Sequence, residues 1–244
     1  MSDTGDFDGL FIVTGASGWI GAGLVGALLD RGASVAAHHR SPLSPELAGH
    51  ERVLSVQGDL RDLNAIDALV AAVSERFGEV AGVINNAASQ PVAAFADTSE
   101  AGYDEVLESG LKSVFFLTQR LAPWVRAGGC ILNIASIEAV VAPAGHAHYG
   151  AAKAGVLALT RTAAVEYGPR IRVNALLPGL ISRPELEQDW PEGVARWSER
   201  APLVRLGERD DLAKAALFLL SSDAAWITGA ALPVDGGMLA RSPW

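Results

Sequence analysis

Tyr149 and Lys153 lie four residues apart in a stretch whose pattern predicts a helix from Tyr149 through about Tyr167. Side chains at positions i and i+4 share one helix face, so the phenol and the ammonium would point into the same space. A phenol has a reference pKa of about 10, and a fixed positive charge beside it lowers that pKa. The spacing therefore favours general acid–base chemistry, although an exposed tyrosine beside a solvated lysine would show the same spacing.

Apolar runs alternate with amphipathic stretches along the chain, which predicts an α/β fold with a parallel sheet covered by helices on both faces. We predict strands at residues 10–13, 33–37, 53–57, 80–84, 130–134, 171–176 and 231–234. We predict helices at residues 18–30, 60–77, 99–109, 112–126, 149–167 and 210–220. No Pro/Gly/Ser-rich linker divides the chain, so residues 1–244 are expected to form one domain.

The stretch from 178 to 206 has no clear pattern, and we expect an excursion from the fold near 180–206. Long irregular segments in compact domains are often lids or binding loops. A partly helical excursion on the surface is an equally good interpretation of this stretch.

A glycine-rich turn follows the first predicted strand and opens the first helix, in the segment Thr14-Gly15-Ala16-Ser17-Gly18-Trp19-Ile20-Gly21. Glycines there let backbone N–H groups approach a pyrophosphate, and the helix N-terminus adds partial positive charge. This context indicates a dinucleotide site. Glycines that only pack the helix against the strand would need no ligand.

The second strand leads into His38-His39-Arg40-Ser41, with no acidic residue after it until Glu46. An acidic residue at this position would hold the 2′-hydroxyl of an NAD ribose. Arg40 offers a planar cation for a 2′-phosphate and Ser41 offers a hydroxyl, so the sequence favours NADP(H) over NAD(H) as cofactor. The alternative is that Arg40 is a solvated loop residue.

The net charge is −9 and no block of Lys or Arg is present, so we expect neither a nucleic-acid nor a membrane partner. The single Cys130 excludes an intramolecular disulfide and fits a reducing compartment. The acidic segment Met1 to Gly9 does not look like a signal peptide, so a cytoplasmic location is expected. His146 and His148 form a His-x-His pair without a suitably spaced third ligand, so no metal site is predicted.

These motifs and several later ones resemble those of the short-chain dehydrogenase/reductase family, in its compact single-domain branch. The resemblance covers essentially the whole chain. It rests on the glycine loop at 14–21, Asp59-Leu60, Asn85-Asn86-Ala87-Ala88, Ser136 placed 13 residues before Tyr149, Arg172-Val173-Asn174-Ala175 leading to Pro178-Gly179, and Asp235-Gly236-Gly237. It implies a Rossmann-type, doubly wound sheet of about seven strands, and a homodimer or homotetramer.

The resemblance also assigns roles to individual residues. Tyr149 would be the general acid or base, Lys153 would lower its pKa and hold the nicotinamide ribose, and Ser136 would hydrogen-bond the substrate oxygen. The cofactor-binding residues predicted in this way are Gly15, Ser17, Gly18, Trp19, Ile20, Gly21, His39, Arg40, Ser41, Asp59, Leu60, Asn86, Ala87, Ala88, Tyr149, Lys153, Pro178, Gly179 and Ile181.

The chain departs from the family pattern at three positions. Trp19 stands where compact members usually have Gly, and Arg183 stands where Thr is common. Gly110 stands at the position of an Asn that helps a water-linked proton relay through the lysine. Because glycine has no side chain to hydrogen-bond, either Ser109 or a water would substitute for that Asn, or turnover would be reduced. A local kink or an ordered water is favoured over Ser109, whose side chain would point about 100° away on a regular helix.

Three residues are candidates for the substrate pocket. Glu138 lies two residues after Ser136, His146 lies close to Tyr149, and Trp190 belongs to the 180–206 excursion. Glu138 could equally be a solvated loop carboxylate.

The predicted activity is NADP(H)-dependent hydride transfer that reduces a carbonyl of a small molecule to an alcohol, or the reverse. Two other readings stay open. A non-catalytic dinucleotide-binding sensor or assembly protein is favoured by Gly110 alone. A dehalogenase-like lyase on the same scaffold would tend to lose the glycine loop and the lysine, which this chain has.

Overall fold

The computed structural model describes residues 5–241, and a seven-stranded parallel sheet forms the centre of this part of the chain. The strands, in chain order, are β1 (Leu10–Val13), β2 (Ser34–His39), β3 (Val53–Gln57), β4 (Val80–Asn85), β5 (Val125–Ile134), β6 (Arg172–Pro178) and β7 (Ala231–Val234). Their spatial order is β3-β2-β1-β4-β5-β6-β7. This confirms the predicted doubly wound α/β fold. The order reverses between β1 and β4, so the carboxyl ends of these strands open a crevice there.

Helices cover both faces of the sheet. They are α1 (Trp19–Asp30), α2 (Pro45–Ala48), α3 (Leu63–Phe77), α4 (Glu100–Leu107), α5 (Ser113–Leu121), α6 (Ala147–Tyr167), α7 (Leu186–Asp189), α8 (Pro191–Arg200) and α9 (Arg209–Leu220). Asp62 caps α3 by accepting a hydrogen bond from the Asn64 backbone N–H at 2.9 Å. The short α2 was not predicted, although Ser44 at its N-cap and Pro45 at its first position are typical start signals.

The core has one layer on each side of the sheet because successive strand residues face opposite ways. Phe11 and Val13 of β1 pack with residues of α1 and α9. Leu10 and Ile12 of the same strand pack with residues of α3 and α5. The strands are therefore apolar on both faces, as expected for a covered parallel sheet.

The predicted helix at 112–126 is wrong at its C-terminal end. α5 ends at Leu121, a short 3-10 turn covers Ala122–Trp124, and β5 begins at Val125 rather than at Cys130. Pro123 lies in that turn and explains the early end, because proline lacks a backbone N–H and disfavours helix at the residue before it.

The excursion near 180–206 is partly helical, because it contains α7 and α8. In the Met1 to Gly9 segment, residues 1–4 lie outside the described residues. Within residues 5–241, no helix has both the length and the hydrophobicity to cross a membrane.

Candidate active site

A cleft of about 1580 Å³ opens at the carboxyl ends of the central strands. It runs from Arg40 and Asp59 at the end of β2 and β3 to Trp190 and Arg200 in the excursion. With the exception of His39, every residue predicted from the sequence to bind cofactor, to catalyse or to contact substrate lines this cleft. The structure therefore brings together residues that are far apart in the chain.

The glycine loop packs so closely that side chains would not fit at two of its positions. A Cβ added to Gly21 would lie 2.1 Å from the Gly15 carbonyl oxygen, and Gly15 itself has a φ of +68°. Asn86 holds the loop from the neighbouring strand end, because its side-chain amide donates to the Thr14 carbonyl at 2.9 Å. The loop is thus a tightly packed turn in which glycines leave the backbone accessible.

The loop also leaves the N-terminus of α1 open toward the cleft. Within the described residues no side chain caps this helix, and Gly18, Trp19 and Ile20 line the cleft. Uncapped N–H groups at the start of a twelve-residue helix favour an anionic ligand such as a pyrophosphate. The residues present therefore fit a dinucleotide.

Trp19 is accommodated without loss of this arrangement. Its indole is partly exposed, and the Arg209 guanidinium lies over the ring at 4.5 Å from the centroid. The tryptophan therefore adds a wall to the cleft, as the departure from the family pattern suggested, and the helix still begins at this residue.

The end of β2 presents a cation to the cleft. Arg40 and Ser41 are both exposed and line it. Across from them, Asp59 forms an ion pair with Arg61 at 2.6 Å. Hydrogen bonds from Arg61 hold the pKa of the Asp59 carboxyl below its usual range, and the charge of Arg40 acts in the same direction.

His39 differs from the other residues that are predicted to bind cofactor. Its ring is buried and does not line the cleft. One ring nitrogen lies 2.7 Å from Ser55 Oγ and the other lies 3.0 Å from the Ser41 carbonyl oxygen. His39 therefore holds the turn that carries Arg40 and Ser41.

The neighbouring residue, His38, lines the cleft and was missed by the sequence analysis. Its ring Nε2 lies 3.1 Å from the Gly58 carbonyl oxygen. Burial lowers the pKa of His38 to about 4, so the ring is neutral at pH 7. The alternation of side chains along β2 was the signal that could have separated the two histidines.

Ser136, Tyr149 and Lys153 lie together on the wall of the cleft, each less than a tenth exposed. Ser136 follows β5 directly, and the other two lie on the first turns of α6. The Lys153 ammonium donates a hydrogen bond to the Ile134 carbonyl at 2.8 Å and lies 5.5 Å from the centroid of the Tyr149 ring. Ser136 Oγ accepts from the Glu138 backbone N–H at 3.1 Å, which leaves its own proton for another acceptor.

The electrostatics of Tyr149 differ from the sequence-based expectation. Burial raises the pKa of the Tyr149 phenol, the Glu138 carboxylate raises it further, and Ser136 only partly opposes them. Burial also lowers the pKa of Lys153 to about 8. Tyr149 is therefore a neutral phenol at neutral pH, while Lys153 is charged below pH 8 and neutral above it. Burial therefore raises the Tyr149 pKa where Lys153 was expected to lower it, and the spacing of the two residues does not reveal that burial.

A π-helical turn, Glu108–Lys112, joins α4 to α5 at the position of Gly110. The Ser113 N–H donates to the Glu108 carbonyl five residues back, which is the hydrogen-bond pattern of a π-turn. A kink or an ordered water is expected at this position, and the helix is irregular here. Ser109 lines the cleft from this turn, and its hydroxyl accepts from the Ser89 N–H at 3.0 Å.

The excursion forms part of the wall of the cleft. Trp190 and Trp197 line the cleft, and each indole packs against a glycine. A Cβ on Gly193 would lie 2.0 Å from the Trp190 ring, and one on Gly179 would lie 2.6 Å from Trp197. Side chains at these glycines would displace the indoles, so the two positions shape the wall. Arg183, Arg196 and Arg200 also line it.

Comparison with known proteins agrees with this arrangement. The sequence model of the family described as enoyl-(acyl carrier protein) reductase matches residues 15–239. An L-rhamnose 1-dehydrogenase (NAD(P)(+)) of Azotobacter vinelandii is 37% identical over 247 residues, which cover 95% of this chain and 96% of the relative. A probable galactose dehydrogenase GalD of Rhizobium meliloti is 36% identical over 240 residues, which cover 93% of each chain. The ligand-free structure of an aldohexose dehydrogenase from Thermoplasma acidophilum has a TM-score of 0.90 at 25% identity, and the match covers 99% of this chain and 98% of that one.

The chain belongs to the short-chain dehydrogenase/reductase family. It is an oxidoreductase of this family, and the family implies a nicotinamide dinucleotide as cofactor. The open N-terminus of α1 and the tight glycine loop are what such a cofactor requires. The dehalogenase-like reading is disfavoured, because the cleft contains both the glycine loop and Lys153.

Proposed function

We propose that this protein is an NADP(H)-dependent dehydrogenase/reductase that interconverts a carbonyl and an alcohol on a small molecule. The observation that carries the proposal is the convergence of Ser136, Tyr149 and Lys153 on one wall of the cleft that also contains the open N-terminus of α1. The cofactor, when bound, would supply or accept the hydride. The protein would supply orientation and proton transfer.

Tyr149 would act as the general acid in reduction and as the base in oxidation. Its raised pKa keeps the proton on the phenol at neutral pH, which is the form a proton donor needs. Ser136 Oγ accepts one hydrogen bond from the Glu138 N–H and keeps its own proton, which it would donate to the substrate oxygen where negative charge develops. Lys153 uses one N–H on Ile134 and would offer the others to the ribose hydroxyls.

The preference for NADP(H) is supported by the charges at the end of β2. Arg40 and Ser41 are exposed at the cleft, and no acidic residue stands between them and Glu46. A guanidinium is well suited to a 2′-phosphate. Asp59 and Leu60 would hold the adenine, and Ile181 would meet the carboxamide.

We also propose that the chain forms a single domain in which residues 180–206 are the substrate-binding excursion. All seven strands belong to one sheet in the part of the chain that the structure describes. The two ends of the excursion are hydrogen-bonded to each other. The Ser182 N–H donates to the Gly207 carbonyl at 2.7 Å, and the Gly207 N–H donates to the Leu180 carbonyl at 3.0 Å.

An aldose is the first substrate class to test, because the relatives are named as rhamnose, galactose and aldohexose dehydrogenases. The experiment follows the absorbance of reduced nicotinamide with NADP⁺ and a panel of aldoses and alcohols, and with NADPH and a panel of ketones and aldehydes. Turnover of any panel member supports the proposal. Cofactor binding without turnover of any member would instead favour the non-catalytic sensor or assembly protein.

Gly110→Asn is expected to raise kcat and leave cofactor affinity unchanged, if the family's water relay is incomplete in this protein. The substitution fits, since a Cβ at Gly110 would lie 3.8 Å from the Ala88 Cβ and 3.9 Å from the Ala152 Cβ. Replacing a helical glycine should also add up to about 1 kcal/mol of stability. The measurement is steady-state kcat together with the cofactor Kd.

Gly110→Ala is the matched control for this prediction, because it adds the Cβ without an amide. A rise in kcat shared by both variants would point to backbone stiffening rather than to the relay. A clear fall in activity in Gly110→Asn would mean that the glycine makes room for substrate or water.

We further propose a homo-oligomer, as the family resemblance implies. Phe115 on α5 is 45% exposed, Val165 on α6 is 82% exposed, and Trp226 after α9 is fully exposed. Leu117 and Val156 on the same two helices are core residues and do not support this proposal. Exposed apolar side chains on two neighbouring helices favour a covering partner.

Light scattering is expected to give a mass that is a multiple of the 25.4 kDa chain. Phe115→Glu combined with Val165→Glu should lower that mass, because each substitution places a charge where an apolar contact is expected. A monomer at working concentration for the unmodified protein would contradict the proposal.

A further inference from the structure

Glu138 and His146 form a polar pair inside the cleft that the proposed chemistry does not use. His146 Nδ1 lies 2.8 Å from Glu138 Oε2, and the two side chains are 18% and 16% exposed. Both residues line the cleft. A carboxylate and an imidazole that are held together and mostly shielded from water are well placed to bind a polar group of a ligand.

The pair retains hydrogen-bonding capacity after its internal contact. Because Nδ1 is used by the carboxylate, the second ring nitrogen of His146 can still bind a ligand. At Glu138 Oε1, the nearest donor among the described residues is the Gln90 amide at 3.5 Å, which is a long contact. A ligand hydroxyl can donate its proton to Glu138 Oε1 or to the lone pair of His146 Nε2, since the Nδ1 proton is used on the carboxylate.

The pair is also adjacent to the reacting groups. The Glu138 backbone N–H donates to Ser136 Oγ at 3.1 Å, so the main chain of Glu138 contacts the residue that would hold the substrate oxygen. The His146 ring lies edge-on to the Tyr149 ring, with 6.1 Å between centroids. A ligand group bound by the pair would therefore lie close to the substrate carbon that reacts.

We propose that Glu138 and His146 form a subsite that binds a hydroxyl group on the carbon adjacent to the reacting carbon. The preferred substrate is then an aldose or another compound with a hydroxyl beside its carbonyl or reacting alcohol. This inference rests on the proposed function, and it names the substrate feature that the site recognises. Both residues are specificity residues, since neither is assigned to proton or hydride transfer.

The alternative role is structural, because the same pair could simply tie the 137–146 loop to the start of α6. A structural role affects all substrates alike, so it can be separated from recognition by a substrate comparison. The measurement is kcat/KM for D-galactose against 2-deoxy-D-galactose, and for hydroxyacetone against acetone, in the unmodified protein and in each variant. Within each pair, the two compounds differ in the adjacent hydroxyl.

The unmodified protein is expected to prefer the hydroxylated member of at least one pair. Glu138→Ala should reduce that preference by about tenfold or more, because a charge-assisted hydrogen bond to the hydroxyl is lost. His146→Ala should reduce it in the same direction, and Glu138→Gln, which keeps an acceptor oxygen, should retain part of it. The Glu138 charge also acts on Tyr149, but this effect is the same for both compounds of a substrate pair. It therefore cancels in the ratio of their kcat/KM values.

Val141→Ala is the control, because Val141 lines the same cleft with an apolar side chain and should leave the ratio unchanged. Thermal unfolding of each variant shows that the loop and α6 are still folded. Equal losses for both members of a pair, or no preference in an active unmodified protein, would overturn the subsite and leave the proposed function standing. No turnover of any compound, here or in the wider panel, would overturn both.

Discussion

Replacing Tyr149 with Phe is expected to lower kcat by about 10²–10⁴-fold, the usual loss when a general acid is removed. The ring that fills the buried site remains, so binding of NADPH should be nearly unchanged. Both quantities are measured on the same preparation, kcat with the best substrate of the panel and Kd by titration with NADPH. A loss confined to kcat is the signature of a group that acts in the chemical step.

Tyr103→Phe provides the matched control for this prediction. Tyr103 lies on α4 and is 48% exposed, so loss of its hydroxyl should leave both kcat and Kd unaltered. Turnover by Tyr149→Phe at the level of the unmodified protein would show that another group transfers the proton. A large loss of NADPH affinity would mean that the phenol mainly shapes the cofactor site.

Arg40→Ala is expected to weaken NADPH binding about tenfold or more and to leave NADH binding nearly unchanged. Losing a charge-assisted hydrogen bond costs about 1.5–3 kcal/mol, and NADH has no phosphate at the position that Arg40 would contact. The measurement is the Kd for each cofactor in the unmodified protein and in the variant. The difference between the two cofactors should also shrink with added salt, because Arg40 is exposed.

Arg76→Ala is a suitable comparison, since Arg76 is exposed at the C-terminal end of α3 and does not line the cleft. It removes the same charge without touching the site. Equal losses for NADPH and NADH in Arg40→Ala would show that Arg40 does not read the 2′-phosphate. Dual use of both cofactors by the unmodified protein would still be compatible with a measurable role for Arg40.

The sheet could be predicted from the sequence because each strand is a short apolar run between polar turns. Val53–Gln57 and Ala231–Val234, for example, were predicted with the bounds that the structure has. Spacing along one helix grouped Tyr149 with Lys153, and the family resemblance added Ser136. Local patterns were sufficient in these cases because the relevant contacts are fixed by regular backbone geometry.

Features that depend on contacts distant in the sequence could not be predicted in this way. The role of His39 is set by Ser55 on the neighbouring strand, and the pKa of Tyr149 is set by burial among several elements. The wall formed by Trp190 depends on the absence of a side chain at Gly193, which becomes visible only when α7 and α8 are folded. Spacing can group residues, but it does not report what surrounds them.

In the π-helical turn Glu108–Lys112, the number of residues determines how the following helix α5 is oriented. An α-helix turns about 100° per residue, so the one extra residue in such a turn sets the angular phase of everything that follows. The phase is what directs Val114, Leu117 and Leu121 of α5 into the core. Deleting one residue from the turn would rotate that apolar face away from the sheet. Replacing Gly110 by another residue would leave the face in place. We therefore expect the fold of α5 to depend more on the number of residues in this segment than on the residue type at position 110.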